Sequence, residues 1–362
     1  MYDYVVIIHP TSEELLHKYE PGMKNKPRQL IKKVLEWMSP FKASEIEGLN
    51  SNLGRTAKGA MVMCPLLLEQ MATMSPSKVL KSVIRTVEFA KSLNPKLIGL
   101  TAYAAFSGNK GVDLAKFAGV PLTIGANYTL AMIPETILRF TELMDIDLEE
   151  SSVLILGATS SVGRYCIEIL SHFVQEIYVT SHSDEKLSLM LAEMPKEKRI
   201  KLRKARDLNS VIDRVNIVII ATNRIPADFD VNRLKAGSVV FDFSYPRHMS
   251  RNAREDVLVV DGLSIKPPGN VRFNFDFGLP EGVCYPCIAE AMILALERKY
   301  ENFSLGKEFD VGKIRQIIRI GAKHGFEVSS LTSQERVIAN EEVLAIKNSR
   351  LKKKKRKVLL WV

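Results

Sequence analysis

A cysteine at the start of an apolar helix is the residue with the most evident chemistry in this chain. Cys287 follows Pro286, which suits the first turn of a helix because its missing N–H would be unpaired there anyway. The apolar helical pattern continues from Cys287 to about Tyr300. A helix N-terminus stabilises an anion, so we expect a lowered thiol pKa and a nucleophilic thiolate. Glu290 would close a capping interaction or lie on the same helix face.

A second cysteine leaves other chemistries open. Cys284 forms a Cys-x-x-Cys pair with Cys287, so dithiol redox chemistry and simple buried packing of both thiols are alternatives to the nucleophile. Zinc would need two further ligands, and the remaining cysteines, Cys64 and Cys166, stand alone in other elements. We therefore expect no metal site.

A glycine-rich turn earlier in the chain has the pattern of a phosphate-binding loop. It follows an apolar strand-like run, and its candidate binding residues are Gly157, Thr159, Ser160, Ser161, Val162 and Gly163. Gly157 permits a tight turn, Gly163 lets the next helix pack closely, and the loop N–H groups meet an anion at the helix N-terminus. A strand before the loop and a helix after it favour a dinucleotide-binding fold over an ordinary strand–helix turn.

The end of the next strand bears on which nicotinamide dinucleotide is bound. NAD sites usually carry an acid there, which binds the ribose hydroxyls. Here Ser181, His182 and Ser183 precede the first acid, Asp184, and Lys186 follows. These residues would tolerate a 2′-phosphate, so we expect NADPH; the alternative is that they cap the next helix. Ligands lie outside the carboxyl ends of such strands, which adds as candidate contacts Thr222, Asn223, Ser244 and Tyr245.

Strands and helices alternate along the chain, which predicts a mainly parallel α/β fold. Strands are predicted at 2–8, 60–63, 96–101, 120–125, 153–156, 176–180, 215–221, 238–243 and 257–260. Helices are predicted at 27–37, 77–93, 126–144 and 311–324, the last ending at Gly325. The predicted organisation is an N-terminal α/β substrate domain (1–147), a Rossmann-type NADP-binding domain (148–282), C-terminal helices that carry Cys287 (283–348) and a basic tail (349–362).

Composition and charge bound the class of protein. The chain has 362 residues, 46% of them hydrophobic, which allows two domains with cores of their own. Seven of the charges behind the net +10 lie within 350–357, so the rest is only about +3 and we expect no nucleic-acid partner. Four cysteines, no signal peptide and no membrane-length apolar run favour the cytoplasm. The basic tail predicts peripheral contact with anionic lipid or an acidic partner. Its lysine-rich run also resembles a nuclear-import signal, and the remaining alternative is a solvated terminus without a partner.

Several blocks of the sequence resemble one enzyme family. The runs are Cys287-Ile-Ala-Glu-Ala-Met, Asn302-Phe-Ser-Leu-Gly306, His324-Gly-Phe326, the loop 157–163, the run 241–246, Gly99-Leu-Thr101 and Thr123-Ile-Gly125. Together they are similar to the cyanobacterial-type long-chain acyl-[acyl-carrier-protein] reductases, which form fatty aldehydes with NADPH. The similarity covers most of residues 60–330, and its C-terminal block is the most specific part.

This resemblance implies a mechanism and partners. Cys287, rather than Cys284, would accept the acyl group from an acyl-carrier protein or acyl-coenzyme A, and NADPH would reduce the thioester to an aldehyde. An aldehyde-using enzyme would act downstream. The family's basic residue after the second strand appears here as His182. The resemblance also implies an apolar acyl tunnel. Its candidate lining residues, which are of types more often found in a core than in a tunnel, are Met61, Met63, Leu66, Leu67, Met71, Tyr103 and Phe106.

Two other functions remain open on the sequence. A thiol-independent NADP-dependent carbonyl or alcohol dehydrogenase of the shikimate-dehydrogenase type would stay active after its cysteines are alkylated. A non-enzymatic nucleotide-sensing protein would bind NADPH without turning over any thioester.

Overall fold

The computed structural model describes residues 1–10, 13, 17, 21–244, 247, 249, 254–276, 278–333 and 336–359, and of 351–359 it describes the backbone alone. The strands are β1 (Tyr4–Ile8), β2 (Phe41–Leu49), β3 (Gly59–Met63), β4 (Ile98–Leu100), β5 (Leu122–Thr123), β6 (Ser152–Leu156), β7 (Glu176–Thr180), β8 (Leu202–Lys204), β9 (Ile217–Ile220), β10 (Ser238–Asp242), β11 (Val257–Val260), β12 (Gly262–Lys266), β13 (Gly269–Arg272), β14 (Glu327–Ser333) and β15 (Arg336–Val337).

The α-helices are α1 (Arg28–Trp37), α2 (Leu68–Thr73), α3 (Pro76–Ser92), α4 (Ser107–Lys110), α5 (Val112–Ala118), α6 (Ala126–Leu143), α7 (Ser161–Leu170), α8 (Asp184–Glu193), α9 (Lys196–Arg199), α10 (Pro286–Glu297), α11 (Val311–His324) and α12 (Asn340–Leu359). Short 3₁₀ helices lie at Pro21–Met23, Ala102–Phe106, Leu208–Ser210 and Val231–Arg233. The α/β fold class is confirmed.

The chain forms two compact units, each made of two stretches of sequence. The first unit comprises Met1–Ala131 with Ser264–Ser329, and the second comprises Met132–Leu263 with Ser330–Val362. This grouping differs from the predicted ranges. Residues 264–329, with α10 and α11, pack into the first unit, and residues 132–147 and 330–348 pack into the second.

The first unit is built on a mixed sheet with the order β13-β2-β3-β1-β4-β5. Strands β3, β1, β4 and β5 run parallel, while β2 and β13 are antiparallel to their neighbours. Every residue of the central β1 is buried, as expected of a strand covered on both faces. Strand β2 was not predicted, because its exposed charged residues hide the usual apolar pattern.

The second unit has a fully parallel sheet with the order β11-β10-β9-β6-β7-β8. Counted from β6, this is the order 3-2-1-4-5-6 of doubly wound dinucleotide-binding folds. The predicted Rossmann-type architecture is therefore confirmed. The short edge strand β8, which is strand 3 of this order, was not predicted.

The C-terminal basic run belongs to a helix. Helix α12 continues through Leu359, so the backbone of residues 350–357 is helical rather than frayed. Lys347 pairs with Asp145, and the Arg350 guanidinium donates to the Asp145 carbonyl. Among the described residues, no helix is both long and apolar enough to cross a membrane.

Candidate functional site

The carboxyl ends of three neighbouring parallel strands meet beside Cys287. His9 follows β1, Ala102 follows β4 after one residue, and Gly125 follows β5 after one residue. The Ala102 N–H donates to the Cys287 sulfur, and Gly125 lies against the Cys287 backbone. In open α/β sheets this edge is where ligands bind.

Cys287 occupies the predicted position at the start of α10. Pro286 is the first helical residue, Tyr285 is the N-cap, and nearly all of the helix that follows is buried. Cys287 remains partly exposed, whereas Cys284 is completely buried. Burial raises the pKa of Cys284 well above its usual value, so Cys284 is a packing residue rather than a reactive thiol.

The expectation of a lowered Cys287 pKa is wrong. Burial raises the pKa of Cys287 to about 11, although N–H groups of Ala102 and Ile288 act in the opposite direction. Loss of hydration disfavours the charged form by more than the helix N-terminus stabilises it. The resting thiol is therefore protonated at neutral pH, and a reaction at this sulfur must remove a proton as it proceeds.

Gly125 allows the β5–α6 corner to approach Cys287 closely. Its φ is +70°, in the left-handed region that favours glycine. A Cβ at this position would lie 2.5 Å from both Cα and Cβ of Cys287 and 2.7 Å from its carbonyl oxygen. Only glycine fits here without moving Cys287.

Glu290 joins the Cys287 helix to the same corner. Its buried carboxylate accepts hydrogen bonds from the Thr123 hydroxyl and from the Tyr128 N–H (2.7 Å), which lies in the first turn of α6. Glu290 therefore caps a neighbouring helix instead of α10, which has no side-chain cap. Burial raises the pKa of Glu290, and hydrogen bonds from the Ser304 and Thr123 hydroxyls oppose this.

Sequence reasoning missed the residues that hold the Ala102 amide. Ala102 adopts φ +48°, a strained conformation for a residue with a side chain. The next amide, that of Tyr103, donates to His9 Nε2 at 3.0 Å, while His9 Nδ1 lies 3.2 Å from the Pro10 carbonyl oxygen. Burial lowers the pKa of His9 to about 4, so the imidazole is neutral. A histidine directly after a buried parallel strand was the signal that could have revealed it.

The residues proposed for an acyl tunnel divide by burial. Tyr103 is half-buried and Phe106 is exposed, and their rings pair at 5.9 Å. The buried members, which contribute to the core, are Met61, Met63, Leu66, Leu67 and Met71.

The glycine-rich loop of the second unit has the shape expected of a phosphate cradle. Gly157 has φ +86°, and Ser160 caps α7 by accepting from the Gly163 N–H at 3.0 Å. A Cβ on Gly163 would overlap the Gly157 carbonyl, so the helix packs against the turn as the sequence predicts. Ser161 and Val162 form the half-buried first turn of α7. This cradle of small residues at a helix N-terminus fits the diphosphate of a dinucleotide.

Side chains from neighbouring strand ends meet beside this loop. The Thr159 and Ser181 hydroxyls share a hydrogen bond of 2.7 Å, and His182 Nε2 lies 3.0 Å from Thr222 Oγ1. The loop, β7 and β9 therefore converge at one edge of the second sheet.

Other candidate contacts behave differently. Ser183 caps α8 by accepting from the Lys186 N–H, which is the alternative foreseen for it. Asn223 is exposed in the loop after β9. Ser244 is buried and binds Asp242, and Tyr245 lies outside the described residues. Within the described ranges, no cluster of three or more His, Cys, Asp or Glu side chains could hold a metal ion.

Part of the second unit matches a known family model. Residues 140–264 match Shikimate / quinate 5-dehydrogenase, which is about a third of the chain. The chain is 25% identical over 308 residues to Aminotransferase PigE of Serratia sp. (strain ATCC 39006), covering 83% of this chain and 36% of that protein. It thus spans only about a third of that relative's length.

A second relative is matched over most of its length. The chain is 23% identical over 301 residues to the long-chain acyl-[acyl-carrier-protein] reductase of Synechococcus elongatus (strain ATCC 33912 / PCC 7942 / FACHB-805), covering 78% of this chain and 86% of that protein. Similar solved structures include shikimate dehydrogenase from Aquifex aeolicus (15% identity, TM-score 0.36, 88% of this chain and 98% of that chain). Quinate dehydrogenase from Corynebacterium glutamicum gives 13% identity and a TM-score of 0.34, covering 88% of this chain and 99% of that chain.

The strand order and the phosphate cradle define the class of fold. The second unit is a doubly wound dinucleotide-binding fold, and part of it is similar to the Shikimate / quinate 5-dehydrogenase model. Such a fold takes NAD or NADP.

Proposed function

We propose that the protein reduces a fatty acyl thioester to an aldehyde with NADPH, through an acyl-enzyme on Cys287. The observation that carries this proposal is the placement of Cys287. A partly exposed thiol lies in the first turn of a buried helix, and the Ala102 N–H donates to its sulfur. It lies beside the carboxyl ends of parallel strands, where ligands bind in open α/β sheets. The 23% identical reductase supports it, because that similarity extends over 78% of the chain rather than over the nucleotide-binding unit alone.

In the proposed first step the Cys287 sulfur attacks the thioester carbonyl carbon. The thiol proton passes to the departing sulfur, and the carrier leaves as a free thiol. Because the pKa of Cys287 is raised to about 11, proton loss and attack are coupled. The Ala102 and Ile288 N–H groups stabilise the charge that develops on the sulfur.

The second step breaks the bond between sulfur and the acyl carbon. NADPH held at the Gly157–Gly163 loop would supply the hydride that this carbon receives. The electron pair of the C–S bond returns to Cys287, where the same two N–H groups receive the thiolate before it is protonated again. Gly125 and Glu290 keep the helix in place through both steps. The acyl donor is an acyl-carrier protein or acyl-coenzyme A.

The preference for NADPH is part of the proposal and rests on the end of β7. Ser181 and His182 present hydroxyl and imidazole groups where an acid would bind the ribose of NAD. His182→Asp should weaken binding of 2′,5′-ADP in calorimetry and shift the kcat/KM ratio from NADPH toward NADH. An unchanged 2′,5′-ADP affinity would remove His182 from the nucleotide site.

A second candidate is favoured by the family comparison. The match of residues 140–264 to Shikimate / quinate 5-dehydrogenase supports a thiol-independent, NADP-dependent carbonyl or alcohol dehydrogenase more directly than it supports an acyl reductase. Under this candidate Cys287 is a packing residue, and substrate binds without covalent attachment.

Turnover by cysteine variants distinguishes the two candidates. NADPH oxidation and extracted aldehyde are measured with palmitoyl and stearoyl thioesters of carrier protein and coenzyme A, and NADP reduction with shikimate and quinate. Cys287→Ser should abolish aldehyde formation while keeping NADPH binding; Cys166→Ala, a buried cysteine of the second unit, is the matched control. Full activity of Cys287→Ser on any of these substrates would favour the thiol-independent dehydrogenase.

A further inference from the structure

Helix α1 of the first unit has two apolar faces, of which only one is covered. Ile31 and Leu35 are buried and pack with Leu67 in a small core cluster. The adjacent face of the helix carries large apolar side chains that are exposed to solvent: Leu30 (47%), Val34 (39%) and Trp37 (85%).

The spacing of these residues makes them one surface. Positions 30, 34 and 37 follow the helical period, so their side chains form a continuous stripe along α1. We call Leu30, Val34 and Trp37 the α1 stripe. Isolated exposed apolar residues are ordinary, but a contiguous set that includes an almost fully exposed tryptophan indicates an interaction site.

Positive charge surrounds the α1 stripe. Residues 21–42 contain a single acidic residue, Glu36, and six basic ones: Lys24, Lys26, Arg28, Lys32, Lys33 and Lys42. Three of these cations are paired, because Arg28 binds Glu13 and Glu69, Lys32 binds Glu69 and Lys42 binds Glu45. Lys24, Lys26 and Lys33 are exposed. The cationic excess therefore remains available to an anionic partner.

We propose that the α1 stripe docks the protein on the surface of an anionic lipid bilayer. An apolar helix face with flanking Lys and Arg and a tryptophan is the combination that lies in the membrane interface, with its apolar side chains among the acyl chains and its cations among the headgroups. The exposed side chains of the α1 stripe can all enter the same bilayer surface, because they lie on one face of the helix. The proposal goes beyond the proposed reaction and does not depend on it.

Trp37 provides a direct reporter for this contact. The chain has two tryptophans, Trp37 and Trp361, so Trp361→Phe leaves Trp37 as the only one. The full-length Trp361→Phe protein is mixed with vesicles of phosphatidylcholine alone or with 30% phosphatidylglycerol. With the anionic vesicles we expect a blue shift of the emission and quenching by brominated lipid, both weakened by high salt. No spectral change with anionic vesicles would overturn the proposal.

Variants of exposed positions test whether the stripe itself binds. Leu30→Gln/Val34→Gln/Trp37→Gln should reduce the vesicle partition coefficient about 100-fold in sedimentation, because three apolar side chains no longer enter the bilayer. Leu53→Gln/Phe117→Gln changes two other exposed apolar residues of the first unit and should bind like the native protein. Circular dichroism and the unfolding midpoint establish that both variants fold.

The remaining outcomes identify other occupants. Undiminished vesicle binding by the triple variant would assign lipid contact to the basic run 350–357 and overturn the proposal. A native dimer in sedimentation velocity that the triple variant abolishes would make the stripe a self-association surface. Binding of acidic carrier protein that is lost in the triple variant, without binding of vesicles, would replace lipid by a protein partner.

Discussion

Replacing Gly125 by alanine tests how tightly the first unit positions Cys287. The new Cβ would lie 2.5 Å from Cys287 Cα and Cβ, whereas carbon atoms in contact are about 3.5–4.0 Å apart. The β5–α6 corner and the start of α10 must therefore separate by about 1 Å. A misplacement of this size at a nucleophile costs on the order of 100-fold in rate.

Stability should fall as well. A side chain in the left-handed region costs roughly 1–2 kcal/mol, and overpacking typically adds about 1–3 kcal/mol. We therefore expect Gly125→Ala to lower the free energy of unfolding by about 2–5 kcal/mol. Gly119 provides a matched control, because its φ is +64° and an added Cβ would meet nothing within 4 Å. Gly119→Ala should lose only about 1–2 kcal/mol and leave Cys287 unaffected.

The assay combines urea unfolding with the rate of Cys287 alkylation by iodoacetamide, followed by peptide mass spectrometry, and with thioester reduction. Gly125→Ala should be less stable than Gly119→Ala, and it alone should show altered Cys287 alkylation and reduced turnover. Equal stability losses in the two variants, with native alkylation in both, would refute the close approach of the corner to Cys287.

Three further predictions concern the thiol and the nucleotide loop. Cys287 alkylation should rise about tenfold per pH unit from pH 7 to 10, because the thiolate fraction grows until the pKa near 11; a plateau below pH 8 would contradict the raised pKa. His9→Ala should slow that alkylation about 10-fold or more, because the Ala102 amide is no longer held toward the sulfur, whereas His324→Ala, which removes an equally buried histidine bonded to Ser51 and Glu297, should not. Gly163→Ala should weaken NADPH binding at least 100-fold by fluorescence titration while leaving Cys287 alkylation unchanged, and native affinity would contradict the close packing of the loop.

The local sequence was sufficient to predict the architecture of the second unit. Strands β6, β9, β10 and β11 each contain a run of three or four apolar residues, and β7 has alternating burial that is typical of a strand. The glycine-rich turn between β6 and α7 is recognisable from a few neighbouring residues. Chain order and the handedness of parallel crossovers then leave few topologies. Strand β8 has three residues, one of them buried, and gives no such signal.

The chemistry of Cys287 depends on partners far away in sequence. Pro286 and the apolar run after it were enough to place Cys287 at a helix start. Its pKa is set by burial and by the amide of Ala102, and its position depends on Gly125 and Glu290. The local sequence does not show how completely the Cys287 thiol is buried. The helix N-terminus alone predicts a lowered pKa, but desolvation raises the pKa by more.

The most direct test of the proposed mechanism is to trap the acyl-enzyme. The full-length protein is incubated with palmitoyl-carrier protein or palmitoyl-coenzyme A without a reduced nucleotide, and the intact mass and the peptide that contains Cys287 are measured. We expect one palmitoyl group on Cys287, sensitive to hydroxylamine, absent in Cys287→Ser and released as aldehyde when NADPH is added. Aldehyde formation by a protein that never carries an acyl group on Cys287 would contradict the covalent mechanism.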